Sequence, residues 1–211
     1  MHSFRQAAMR FERARLLKRK EFAEQIRQKV VSHVNTKLFK REDFPRAFFF
    51  VEEMYPEVAH VIRDLTIYKN DNTALWAEMG LTGVAGMYVV PVSMILITYS
   101  VNIPDDVVAV HELLHCAHDK LMLAKDPMSQ EDMTFRASIP YILQDHKPEW
   151  VARHYLLPYY YSIKEKGTVA SRLDERDVIA SCMEMIEKES GATPTRVTDS
   201  EPAMDRFDFL D

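Results

Sequence analysis

Apolar residues at Phe22, Ile26, Val30, Val34 and Leu38 recur every four positions through a basic stretch, the spacing of one helix face. Ser3 and Gln6 have capping-box spacing, so the pattern predicts one long helix from Ser3 to about Lys40, broken at most once. Pro45 and Pro56 suit first helical turns and predict two short helices. From Leu65 the period shortens. Leu65–Tyr68, Val84–Val90 and Met94–Val101 are rich in β-branched and aromatic residues and predict three short strands. Asn70-Asp71-Asn72 is a turn signal, and Pro91 confines its neighbourhood to a sheet edge or a turn. Pro104-Asp105-Asp106 opens a helix that runs to about Leu123, because proline fixes φ and the carboxylates face the positive end of the helix dipole. Residues 124–147 read as a polar loop, then an apolar piece from Phe135 to Leu143 interrupted by Pro140. Pro148 starts a helix that ends before Pro158. Ser171 and Asp174 cap another, with Leu173, Ile179, Met183 and Ile186 on its apolar side and Gly191 as its stop. Residues 192–211 read as a flexible acidic tail. The expected class is α+β, mostly helical, with a small sheet preceding the helix that starts at Pro104.

The chain has 211 residues, 47% hydrophobic and 28% charged, enough for one domain with a sizeable core or a domain plus an appendage. Five glycines leave no glycine-rich phosphate loop. Cys116 and Cys182 make no disulfide framework, so a reducing, cytoplasmic compartment is expected. The basic N-terminus lacks the apolar run of a secretory signal. No charge occurs from Met79 to Pro104, a length that could span a membrane. Gly80, Gly83, Gly86, Pro91 and Pro104, the strand-type side chains, and the lack of anchors at both ends oppose that reading. The net charge of −5 is unevenly spread: residues 1–41 hold twelve Lys/Arg against three Glu, a net of +9, which leaves −14 elsewhere. A basic arm can bind nucleic acid or an acidic surface, or dock on its own acidic body. Lys and Arg are also good formers of a solvated helix, the simpler account. The expected division is a basic helical region at 1–43, a main domain at 44–190 and a tail at 191–211.

The chemistry concentrates in His111-Glu112-Leu113-Leu114-His115. Two histidines four apart on a helix lie about 40° apart on one face, so both imidazoles can reach one tetrahedral zinc. The glutamate after the first histidine is the general base of such sites. Val108, Ala109, Val110, Leu113, Leu114, Cys116 and Ala117 make the helix a buried one. Buried polar side chains need partners, and a metal satisfies them together. A third ligand is required. His118 lies a further turn along the same helix and would splay from a single ion. A carboxylate from a following helix fits better, and Glu149, in the first turn after Pro148, is the leading candidate, with Asp119, Asp145, His146 and His154 in reserve. Cys116 points about 100° away from its neighbour ligand and reads as a small buried hydrophobe.

The strand Met94-Ile95-Leu96-Ile97, the helix Val107–His115 and the stretch Glu149-Trp150-Val151-Ala152-Arg153-His154-Tyr155-Leu156-Leu157-Pro158 resemble the ImmA/IrrE-type metallopeptidases over about residues 83–158. The resemblance implies a zincin-like fold, Zn²⁺ as cofactor and Glu149 as third ligand. It also implies an intracellular enzyme acting on a protein substrate such as a transcriptional regulator. The expected function is a zinc metallopeptidase with Glu112 as general base. A donor for the developing oxyanion would come from His118, Arg153, His154 or the tyrosines 159–161. In zincin-like architecture the strand before the metal helix helps border the cleft. The competing expectations are an inactive zincin-fold module that binds nucleic acid or a protein through residues 1–41, a hydrolase of a non-peptide amide, and a membrane-embedded peptidase.

Overall fold

The computed structural model describes residues 19–79, 85–98, 102–124, 127–158, 160 and 175–191. The fold is α+β and mostly helical with one small sheet. It divides into two compact units whose segments alternate along the chain: residues 1–40 with 65–99, and residues 41–64 with 100–211. The expected division places a basic helical region at 1–43; its described residues 19–40 group with the strands.

In the first unit a helix, α1, covers residues 19–32. The strands β1 (Lys37–Phe39), β2 (Thr66–Lys69), β3 (Gly86–Val89) and β4 (Met94–Ile97) form a sheet of order β1-β2-β4-β3. β2 and β4 are parallel, with Ile67 opposite Ile95, and the two edge strands run antiparallel to their neighbours. All four residues of β4 are fully buried, as an unbroken apolar run in a central strand requires. Ala23, Ile26 and Val30 form the buried face of α1 and pack with Trp76, Val89, Met94 and Leu96. Phe22 and Val34, from the expected four-residue stripe, are exposed.

The expected helix to Lys40 stops at residue 32, and β1 follows. The stop has a local cause. Val34 and Thr36 are β-branched and Asn35 favours turns. The Thr36 hydroxyl bonds the Val30 carbonyl, and Asn70 Nδ2 reaches Thr36 Oγ1 at 2.8 Å and His33 Nδ1 at 3.0 Å. A short helix, α4 (Thr73–Glu78), was not expected. Asn72 caps it through Oδ1, which accepts from the amides of Ala74 and Leu75. No described helix is long and apolar enough to cross a membrane, and the described parts of the uncharged stretch form β3 and β4.

The second unit is helical. It holds α2 (Pro45–Met54), α3 (Ala59–Arg63), α5 (Asp105–Leu121), α6 (Pro127–Ile142), α7 (Pro148–Trp150, continuing as a π-helical stretch Val151–Leu156) and α8 (Glu175–Ser190). α5 is buried around most of its circumference, from Val107 to His118, and packs against α2, α3 and α6. It closes at Met122, which takes a left-handed conformation with φ 52°, and Leu123 N–H donates to His118 O at 3.0 Å. Residues 127–134, expected in a loop, are the first half of α6, and Pro140 lies inside that helix. The expected cap at Ser171 and Asp174 and the expected tail lie outside the described residues.

Candidate metal centre

One turn of α5 separates His111 from His115, which places both rings on one face. Their centroids are 4.7 Å apart and their Nε2 atoms 3.1 Å apart. α6 runs back along α5, as the pairs His115–Glu131 and His111–Phe135 show. Glu131 Oε2 lies 3.4 Å from His115 Nε2 and 3.6 Å from His111 Nε2. These three donor atoms form the one group of metal-ligating side chains found among the described residues.

The triangle has sides of 3.1, 3.4 and 3.6 Å. A tetrahedral zinc with bonds of about 2.0–2.2 Å has edges of about 3.3–3.6 Å between ligand atoms. Two sides fall in that range and the third is a few tenths of an ångström short, so small side-chain shifts would fit the donor set to a tetrahedral ion with a fourth position left over. The far sides of the rings are also held. His111 Nδ1 lies 2.7 Å from the buried Tyr155 hydroxyl, and His115 Nδ1 lies 3.4 Å from Thr134 Oγ1. Metal-binding histidines ordinarily donate the second ring N–H to such a partner. Tyr155 is carried by the π-helical stretch of α7, a geometry frequent at functional sites. Phe135 packs between His111 and Tyr155, with centroids 4.7 and 4.8 Å away.

Charge in the group is strongly coupled. Burial pushes the Glu131 carboxyl up, but hydrogen bonds to both histidines outweigh it and hold the group well below the usual carboxylate range. Burial lowers His115, yet the Glu131 hydrogen bond and the charges of Glu112 and Glu131 raise it overall. Glu112 is buried, 5% exposed. Without a metal, these shifts describe a histidine–carboxylate pair in which Glu131 is ionised and His115 holds its proton more firmly.

His111, Glu112 and His115 all lie on α5, and the carboxylate that converges on the two histidines is that of Glu131 and not of Glu149. Glu149 is exposed on the first turn of α7 and is not in the converging group. The reserve candidates also lie outside it: Asp145 pairs with Arg46 at 2.7 Å, His146 stacks on Trp150 at 3.9 Å, His154 tilts against the same Trp150, and Asp119 is half-buried near the end of α5. His118 is 1% exposed, with Nε2 at 2.9 Å from Tyr55 Oη and Nδ1 at 2.9 Å from Thr134 Oγ1. Both its nitrogens are engaged, so it does not face a substrate. Arg153 is exposed, Tyr160 is buried, and residues 159 and 161 lie outside the described residues. Of the basic side chains on α1, Arg27 pairs with Glu24 and Lys29 with Glu78. Cys116 and Cys182 are buried free thiols, and burial pushes Cys182 up to about 11.

Burial, with the nearby His115 and His111 charges, pushes His118 down to about 3. The unfolded chain takes up this proton near pH 6.5, so between pH 6.5 and 3 the unfolded state binds more protons and stability falls as pH falls. His118 contributes a slope of about 1.4 kcal/mol per pH unit in that window. Urea unfolding of the metal-free chain at pH 7, 6 and 5 should show it, and His118→Gln should flatten it. An equal slope in the variant would assign the acid sensitivity elsewhere.

No protein-family model matches the chain, and neither characterised proteins nor solved structures yield a match.

Proposed function

We propose that this protein is a zinc-dependent metallopeptidase with a zincin-like catalytic helix, in which His111, His115 and Glu131 hold the ion and Glu112 is the general base. The observation that carries the reading is the triangle of two Nε2 atoms and one carboxylate oxygen, with sides near those of a tetrahedral zinc site. A zinc ion held there supplies Lewis acidity toward a carbonyl oxygen and toward water.

The chain's own residues do the rest. Tyr155 and Thr134 hold the imidazoles from behind, which keeps both Nε2 atoms aimed at the ion. Phe135 closes the His111 side with apolar surface. Glu112 accepts a proton from the attacking water and returns it to the leaving amine. The substrate is a protein or peptide that reaches the centre from the side of Glu131, whose side chain is 44% exposed.

Metal analysis of the purified chain by mass spectrometry should find close to one zinc per chain, and cleavage of an unstructured peptide should stop with a chelator and return with zinc. A chain that takes up no zinc at neutral pH would end this reading. A chain with full zinc that leaves every peptide and protein tested intact would make the site structural.

A further inference from the structure

Thr134 follows Glu131 by three residues on α6, so ligand and hydroxyl project from the same side of the helix. It is fully buried. Its hydroxyl has one proton to give and two lone pairs to receive. Three groups surround the oxygen: the Gln130 carbonyl at 2.8 Å, His118 Nδ1 at 2.9 Å and His115 Nδ1 at 3.4 Å.

A carbonyl can only accept, so the hydroxyl proton goes to Gln130 O. Both histidine nitrogens must then donate. That puts a proton on both Nδ1 atoms and leaves each Nε2 as the nitrogen turned away from Thr134. For His118 the Nε2 lone pair accepts from the Tyr55 O–H at 2.9 Å, so the buried string is satisfied to its end. For His115, Nε2 faces Glu131 at 3.4 Å and His111 at 3.1 Å, so a proton there bonds the carboxylate when no metal is bound and the lone pair serves an ion that replaces it. His118 thus has a use although it touches no ligand position. It fills the second lone pair of Thr134, and a turned hydroxyl would leave a buried donor or acceptor unmatched. The Gln130 side chain also reaches the His115 carbonyl at 3.3 Å, which ties the same two turns of α5 and α6 together.

We infer that Thr134 is the positioning residue of the metal centre: its hydroxyl, donated to Gln130 O, accepts from Nδ1–H of both His115 and His118 and so presents the His115 Nε2 lone pair to the ion. The inference rests on the metal site proposed above.

The test uses the full chain stripped of metal and zinc alone as probe, with affinity read by competition against a chromophoric chelator. Thr134→Val keeps the shape and loses the hydroxyl. It should bind zinc about 10–100-fold more weakly, while Thr134→Ser should keep the wild-type affinity. The cobalt(II) absorption bands of Thr134→Val should shift from those of the wild type, because the His115 ring is no longer held. Valine binding as tightly as threonine, or serine as impaired as valine, would overturn the inference. A wild-type chain that binds no zinc would instead remove the metal reading beneath it. Should the valine variant not fold, two-bond ¹⁵N–¹H spectra of the wild type decide the matter: His118 protonated on Nδ1 is required, and His118 protonated on Nε2 overturns it.

Discussion

Glu131→Ala is expected to lower zinc affinity several hundredfold, whereas Glu149→Ala leaves it unchanged. A structural zinc site contributes about 10–16 kcal/mol over four ligands, so one ligand is worth roughly 2.5–4 kcal/mol, or about 70- to 900-fold in affinity. Glu131 supplies the only carboxylate oxygen in the converging group, 3.4 and 3.6 Å from the two Nε2 atoms. Glu149 is exposed on another helix. Chelator competition on the two variants, with circular dichroism to check the metal-free fold, separates them cleanly. Loss of zinc from Glu149→Ala with retention in Glu131→Ala would reverse the assignment. Glu131→Asp, with a shorter reach, should fall between wild type and alanine.

The second large effect concerns turnover. Glu112→Gln should reduce peptide hydrolysis by about 10²–10⁴, the range for removal of a general base, with zinc still near one per chain. The substitution keeps the size of a side chain that is 5% exposed, so the packing of α5 should survive. It removes the carboxylate that can take a proton from water. It also removes one of the charges that raise His115. A variant with full zinc and unaltered kcat would exclude Glu112 as the base and leave the HExxH pattern a binding motif only. The pair of results has diagnostic value: one substitution should remove metal, the other chemistry with metal retained.

The parts of this site legible in the sequence are those that depend on local geometry. His111 and His115 are four apart on one helix, and nothing beyond helical pitch is needed to pair them. The start of α5 was legible from proline and two aspartates, and β4 from its unbroken apolar run. The third member of the converging group was not legible, because Glu131 lies in a polar stretch without apolar periodicity. Its position depends on α6 folding back along α5. A signal was nonetheless available. In a helical hairpin, residues equally far from the turn face each other, and His115 and Glu131 each lie eight residues from Leu123, as His111 and Phe135 each lie twelve. Recognising Pro127 as a helix start would have pointed to residue 131. Glu149 is the more visible candidate in the sequence because it stands in the first turn after Pro148, whereas the first turn of α6 holds no acidic residue. Residues 33–40 were misread for a different reason. The apolar stripe continued through Val34 and Leu38, while the hydrogen bonds of His33 and Thr36 to Asn70, which end the helix, come from residues over thirty positions away.

The alternation of the two units also bears on experiments with shortened chains. Removing residues 1–41 to test the basic arm would take away α1 and β1, and with them Ala23, Ile26 and Val30 from the sheet core. Lost binding in such a truncation would report a damaged sheet. Charge-reversing substitutions at exposed positions such as Arg19 and Lys20 are the sounder probe.

The same alternation orders events during synthesis. Every described strand, and the described helix that packs on them, is encoded before residue 100, so the sheet unit can leave the ribosome before the histidine–glutamate group does. The segment at 41–64 has no such completion. Phe48, Phe50 and Val51 of α2 must wait for α5, which begins about forty residues after α3 ends, a delay of roughly 2–8 s at ordinary translation rates. During that interval an apolar helix is held between finished structure and the ribosome, the kind of surface that chaperones bind. The metal centre closes later still, since its backing tyrosine is residue 155. If the proposed site takes up zinc, its residues come together only after the strands have been made, so capture of the ion would be a late step in making the protein.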